Sequence, residues 1–121
     1  MLRASVSTTS GIEIAPRCEL AESMVARTVG LLGRKGLAPG EGMLIAHTGS
    51  VHMFFMRFAI DVVFVDKART IVKIVPNLGP WRIAMARRAK SALELPAGTA
   101  ATLGLEPGMV LAVGELKNQP D

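Results

Sequence analysis

The longest apolar stretch of the chain, HMFFMRFAIDVVFVD from His52 to Asp66, is interrupted inside only by Arg57 and Asp61. If extended, it alternates Phe54, Met56, Phe58, Ile60, Val62 and Phe64 on one face against Phe55, Arg57, Ala59, Asp61, Val63 and Val65 on the other. The two charges then share a face. Residues four apart on a straight strand lie about 13 Å from one another, so direct pairing requires a bend near Ala59. Charges in such company must pair, reach solvent or serve a site. The pattern predicts a strand on which Arg57 and Asp61 are held by defined neighbours, as an ion pair or by bonds to loop backbone.

Flanking patterns predict the other elements. Gly11 to Pro16 reads as a short strand ended by the proline. From Glu19 to Arg34, a stripe of Ala21, Met24, Val25, Thr28, Val29 and Leu32 at helical spacing, with Glu22, Ser23 and Arg27 opposite, predicts a helix capped by Gly36. Met43 to Ala46, Thr70 to Val75, Ala92 to Leu95 and Met109 to Val113 read as strands, with a hairpin turn over Asp66 to Arg69. PNLGP at Pro76 to Pro80 breaks the pattern, and Trp81 to Arg88 reads as an irregular, extended, basic segment. Gly98 to Leu103 suits one helical turn ended by Gly104, and Pro107 with Gly108 a type II turn. Residues 1–10 read as disordered and 117–121 as a loose tail, leaving one β-rich domain over 11–116.

Composition narrows the class. The chain has 121 residues, half of them apolar, and a mean hydropathy of +0.37. It nevertheless lacks the roughly 20 uninterrupted apolar residues of a membrane helix and the apolar core of a secretory signal, so a soluble, cytoplasmic protein with no membrane partner is expected. The lone Cys18 offers neither a disulfide nor a zinc knuckle. Net charge is only +4, but Lys67, Arg69, Lys73, Arg82, Arg87, Arg88 and Lys90 follow one another without an acid, predicting a basic face. One Trp and no Tyr argue against a stacking platform for single-stranded nucleic acid.

With VGLLGRKGLAPGEGMLI, VHMFFMRFAIDVVFVD, NLGPWR and LELPAGTAATLGLEPGMVL in that order, the chain resembles the domain-of-unknown-function 192 family over roughly Ile12 to Val113. The resemblance implies a mainly β protein, a compact antiparallel β-sandwich or distorted barrel with one principal α-helix near the N-terminus, and no established activity. Exported members occur in that family. Its pattern is matched by Gly30, Leu31, Arg34, His52, Met56, Arg57, Phe58, Asp61, Pro80, Trp81, Glu94 and Gly98. This chain departs at Ala59, where proline is frequent, and at Met109, where aspartate is frequent. The C-terminal LPAGTAATLGLEPGMVL is also similar to swapped-hairpin transition-state regulators, which bind DNA as dimers.

The candidate ligand-binding residues are His52, Met56, Arg57, Asp61, Trp81, Arg34 and Glu94. Arg57 could orient an anion by its planar fork and Asp61 a donor by its oxygens. Glu94, between Leu93 and Leu95, is expected to face solvent or to meet an Arg across the sheet. Trp81 either caps a pocket or plugs the end of the sandwich, and the plug is the expectation. His52 is expected to hydrogen-bond backbone at the start of the strand. His47, His52 and Asp61 raise a metal-assisted hydrolase, but residues five apart point to opposite faces of a strand, so no metal site is assigned. Arg82, Arg87, Arg88 and Lys90 are anion-binding candidates. Ser50 lacks an elbow motif and Cys18 an activating partner, so no catalytic residue and no cofactor is assigned. These readings favour a non-catalytic module that binds a small ligand or a protein in a cleft near His52 to Asp61, with a nucleic-acid or anion binder as the alternative and the hydrolase third.

Overall fold

In a computed structural model describing residues 2–31 and 33–116, the chain is mainly β. Its strands are β1 (Leu2–Thr8), β2 (Glu13–Ala21), β3 (Glu41–Ala46), β4 (Ser50–His52), β5 (Ile60–Val65), β6 (Ile71–Leu78), β7 (Ile83–Met85), β8 (Ser91–Pro96) and β9 (Leu111–Leu116). Helix α1 (Met24–Leu31) follows β2, and α2 (Thr99–Leu103) follows β8. Seven strands form one curled sheet in the order β6-β5-β8-β3-β2-β1-β9, while β4 and β7 make a separate ribbon. All pairings are antiparallel except β2 with β3, which run parallel because α1 carries the chain back between them. The sheet edges meet at a bridge between Thr70 and Val110, where Ile71 N–H donates to Met109 O at 2.8 Å and Leu111 N–H to Arg69 O at 2.9 Å. The result is a half-barrel.

Two apolar clusters lie on the two faces of the sheet. Val6, Ile14, Cys18, Val63, Val65, Leu93 and Leu111 fill the concave side. Met43, Ile45, Ile60, Val62 and Phe64 face the convex side, against α1, the β4–β7 ribbon and the segment through Met53 and Met56. Alternation within β5 divides Val62 and Phe64 from Val63 and Val65 as expected, and both faces are covered, which is why this segment reads as a continuous apolar run.

Several expectations are corrected. The stretch from His52 to Asp66 is not one strand: β4 ends at His52, β5 begins at Ile60, and a loop joins them. Residues 1–10 were expected to be disordered, yet Leu2–Thr8 pairs with β2 on one side and β9 on the other. Pro16 does not end its strand, because it sits where the β1–β2 register shifts between Val6 and Ala4, a bulge that needs no donor. Pro76 likewise lies inside β6, which it can enter because β6 is an edge strand. Residues Glu19 to Ala21 extend β2, so the helix is shorter than the stripe suggested. Its inward side is Arg27 and Leu31, while Val25 and Val29, 74% and 70% exposed, face out. Leu32 and the expected tail 117–121 lie outside the described residues.

The hairpin turn, the α2 turn and its cap are as read. Asp66 Oδ1 accepts from the N–H groups of Ala68 and Thr70, and Gly104 closes α2 at φ 67°. No helix among the described residues is long and apolar enough to cross a membrane.

Candidate functional site

The β4–β7 ribbon turns Val51 and Ala84 inward, so their neighbours Ile83 and Met85 stand outward, 56% and 62% exposed. Beyond the ribbon, Met53 is fully buried and ties the two chain segments together. Its N–H donates to Arg82 O at 2.8 Å, and its carbonyl accepts from Trp81 N–H at 2.8 Å and Met56 N–H at 3.2 Å. These ties place Phe54 and Phe55 beside Trp81. The Phe55 and Trp81 rings meet edge-on at 5.0 Å, Phe54 and Trp81 lie 6.0 Å apart, and His52 stacks on Phe54 at 4.8 Å.

Phe55 and Trp81 both hold left-handed backbone, at φ 66° and 67°, and both stay open to solvent, 65% and 59% exposed. A bulky residue at positive φ costs of order 1–3 kcal/mol and persists only where its surroundings enforce it. Here the Met53 hydrogen bonds enforce it, and the consequence is two large rings displayed outward. Trp81 is therefore not the plug expected of it.

Beneath this patch lies a buried ion pair. Arg27 is fully buried on α1; its Nε donates to Glu94 Oε1 at 2.8 Å and its Nη2 to Oε2 at 2.6 Å, while Nη1 donates to His52 O at 2.8 Å. Burial pushes the Glu94 carboxyl above the usual carboxylate range, and the hydrogen bond and charge of Arg27 pull against that shift. Glu94 thus faces neither solvent nor an Arg across the sheet, but an Arg from the helix. The pair pins α1 to β8 and to the end of β4, where the aromatic patch begins.

His52 does not make its expected backbone bond through Nδ1, which is buried without a hydrogen-bond partner among the described residues. Burial, and then the charge of Arg27, holds its imidazole below the ordinary histidine value. Asp61 is fully buried and structural in its contacts: Oδ1 accepts from Asn77 N–H and Oδ2 from Ala100 N–H, both at 2.9 Å, so it joins β5 to β6 and to the start of α2. Arg57 is exposed and makes no hydrogen bond or ion pair with any described residue, so the expected Arg57–Asp61 relation is absent. Met56 belongs to the core, and Arg34 pairs with Glu41 at 3.3 Å, both about one third exposed. Among the described residues no three His, Cys, Asp or Glu side chains cluster, so His47, His52 and Asp61 do not form the ligand set of the hydrolase reading. Cys18 is buried with its thiol pushed up to about 12, chiefly by burial, which suits a core side chain.

Arg82, Arg87, Arg88 and Lys90 are all exposed. Arg87 and Arg88 share a shallow groove with Lys73 and Gly49, whereas Arg82 stands beside Trp81. The sequence reading missed Arg27, Phe55, Ile83 and Met85. The apolar alternation of Ile83 and Met85 after Trp81 was an available signal; nothing local marked Arg27 as buried.

A curled, mostly antiparallel sheet with one short helix between parallel strands, backed by a two-stranded ribbon, defines a class of small mainly β domains. Residues 5–113 match the model of the DUF192 family, described as Uncharacterized ACR, and the chain belongs to that family. A UPF0127 protein of Pyrococcus furiosus is 34% identical over 110 residues, covering 85% of this chain and 91% of the relative. Two crystal structures are similar. A protein of unknown function from Novosphingobium aromaticivorans is 28% identical with a TM-score of 0.78, over 91% of this chain and 83% of its own. A candidate transcription regulator from Sinorhizobium meliloti 1021 is 32% identical with a TM-score of 0.77, over 93% and 92%. The family is uncharacterised, so membership supplies a fold and no reaction.

Proposed function

We propose that the protein is a non-catalytic binding module whose recognition face is the outward patch of Phe55, Trp81, Ile83 and Met85, and whose partner is an apolar protein segment carrying acidic residues. The observation that carries this reading is the pair of exposed aromatic residues locked in left-handed backbone and in edge-on contact at 5.0 Å. Exposed rings held at a conformational cost are expected where they contact something else. The patch is a set of four exposed side chains on loop and ribbon, and an open apolar surface of this kind favours a protein over a small ligand. Arg57 and Arg82, both exposed and each close in sequence to a patch ring, favour acids on the partner.

The sole Trp makes the test direct, because Trp81 emission reports on this face alone. Peptides that combine Leu or Phe with Asp or Glu, selected from a displayed library, should bind and shift Trp81 emission to the blue. A Phe55→Ser/Ile83→Ser variant with an unchanged circular dichroism spectrum should lose them. Selection of no peptide, or equal binding by the variant, refutes the reading.

A second reading, binding of nucleic acid, is favoured by the groove of Lys73, Arg87 and Arg88 and by the regulator designation of the Sinorhizobium meliloti relative. It requires duplex DNA to be retained at about 50 mM salt, to be released steeply as salt rises, and to be lost in Arg87→Ala/Arg88→Ala. Absence of retention at low salt removes it.

A further inference from the structure

The mouth of the half-barrel holds a cavity of about 650 Å³, within the roughly 300–1,000 Å³ of small-molecule sites. It arises from strand lengths. Bridging of Thr70 with Val110 closes the seam at the start of β6, but β9 continues past the β5–β6 turn to Leu116, paired there with the beginning of β1. The overhanging strands enclose space above the filled core. Leu20 and Leu44, Ala46, Val65 and Val113 line it, with Ala26 of α1 on the wall. Small alanines at the ends of strands leave room that larger side chains would fill. Such walls offer water few partners and suit an apolar occupant.

Polar chemistry is confined to a few lining positions. Arg69 occupies the β5–β6 turn with its backbone fixed: its N–H donates to Asp66 O and its carbonyl accepts from Leu111 N–H, both at 2.9 Å, at φ 64°. Its side chain is exposed and has no hydrogen-bond or ion-pair partner among the side chains described for residues 2–31 and 33–114. Glu22, the acid among the described lining residues, follows β2, which is separated from β5 by β3 and β8 in the sheet. A guanidinium at one side of an apolar mouth complements a single acidic head on an alkyl body.

We infer that this cavity is a binding site for an amphiphilic monocarboxylate, with its alkyl chain between β2, β3 and β9 and its carboxylate at Arg69. The site is separate from the aromatic patch, and neither Phe55 nor Trp81 lines it.

Decanoate and decanol serve as probes, titrated into the full-length protein by calorimetry and by methyl NMR. Decanoate should bind saturably and shift the methyl resonances of Leu20, Leu44 and Val113 without moving Trp81 emission. Ala46→Phe, which fills the cavity, should abolish binding of both probes. Arg69→Asn, whose new side chain tolerates left-handed backbone, should weaken decanoate about three- to five-fold, as loss of an exposed ion pair would, and leave decanol unchanged. Absence of saturable binding, shifts confined to residues outside the cavity, or binding indifferent to both substitutions overturns the site. Equal weakening of decanol and decanoate by Arg69→Asn overturns the assignment of the head. If Ala46→Phe does not fold, the Arg69→Asn comparison and the methyl shifts decide alone.

Discussion

Replacing Arg27 by Met while Glu94 stays in place removes the donors that both Glu94 oxygens and the His52 carbonyl now receive at 2.6–2.8 Å. Breaking one side of a buried pair costs about 3–5 kcal/mol, against about 5–15 kcal/mol for a whole domain. For 121 residues, an unfolding entropy of about 2.1 cal/mol/K per residue converts that loss into a Tm drop of about 12–20 °C. The loss must also depend on pH. Burial already holds Glu94 above the usual carboxylate range, and Arg27 is what opposes the shift, so its removal raises the folded value further. A carboxyl raised in the folded state binds its proton more tightly there. Its contribution is therefore present below the ordinary carboxylate value and is lost as pH rises through the folded one. The Arg27→Met deficit should be largest above neutrality and should shrink on acidification. In Arg27→Met/Glu94→Leu both charges are gone, and apolar replacement of a buried pair is often neutral or stabilising, so most of the lost stability should return. Thermal unfolding followed by circular dichroism at about pH 5 and pH 8 measures all of this. A single variant melting within about 3 °C of the wild type at pH 8, which corresponds to less than about 1 kcal/mol, refutes the reasoning. So does a double variant no more stable than the single.

Asp61→Ala strands the N–H groups of Asn77 and Ala100, and at about 1–3 kcal/mol for each unsatisfied group it should lower the free energy of unfolding by about 2–6 kcal/mol in a urea titration. Asp61→Asn should lose less, since its amide oxygen can retain one of the two. Arg57→Ala, at an exposed side chain without a polar partner, should stay within about 0.5 kcal/mol of the wild type in the same titration.

Much of the β architecture was legible because local chemistry and tertiary structure agree. Asp66 to Arg69 carries its own turn chemistry, Gly104 its own cap, and the central β5 the continuous apolar signature of a strand covered on both faces. The prolines misled for one physical reason. Pro16 and Pro76 remove a backbone donor, which ends a strand only where that donor is needed, and neither a bulge nor an outer edge needs it. The first residues looked disordered because LRASVST is short and rich in small polar residues, yet Ala4, Val6 and Thr8 alternate into the core and the backbone pairs on both sides.

The orientation of α1 was not legible, and the cause lies in its sequence: MVARTVGL is apolar nearly all round, so the stripe can be drawn through Val25 and Val29 or through Leu31 and the stem of Arg27. Burying a guanidinium decides against the second choice unless a carboxylate awaits it, and that carboxylate is Glu94, 67 residues away. The same contact explains the exposure of the aromatic patch. Arg27 reaches the His52 carbonyl, fixing where β4 ends, and Met53 then fixes Trp81 and Arg82 across the ribbon. With both anchors set inside the core, Phe55 and Trp81 take the left-handed backbone left to them and turn outward. Weakening Arg27 should therefore loosen the patch as well as α1, so that peptide binding falls in Arg27→Met/Glu94→Leu even where its melting temperature is restored. Full binding by that double variant would show that the Met53 hydrogen bonds alone position the rings.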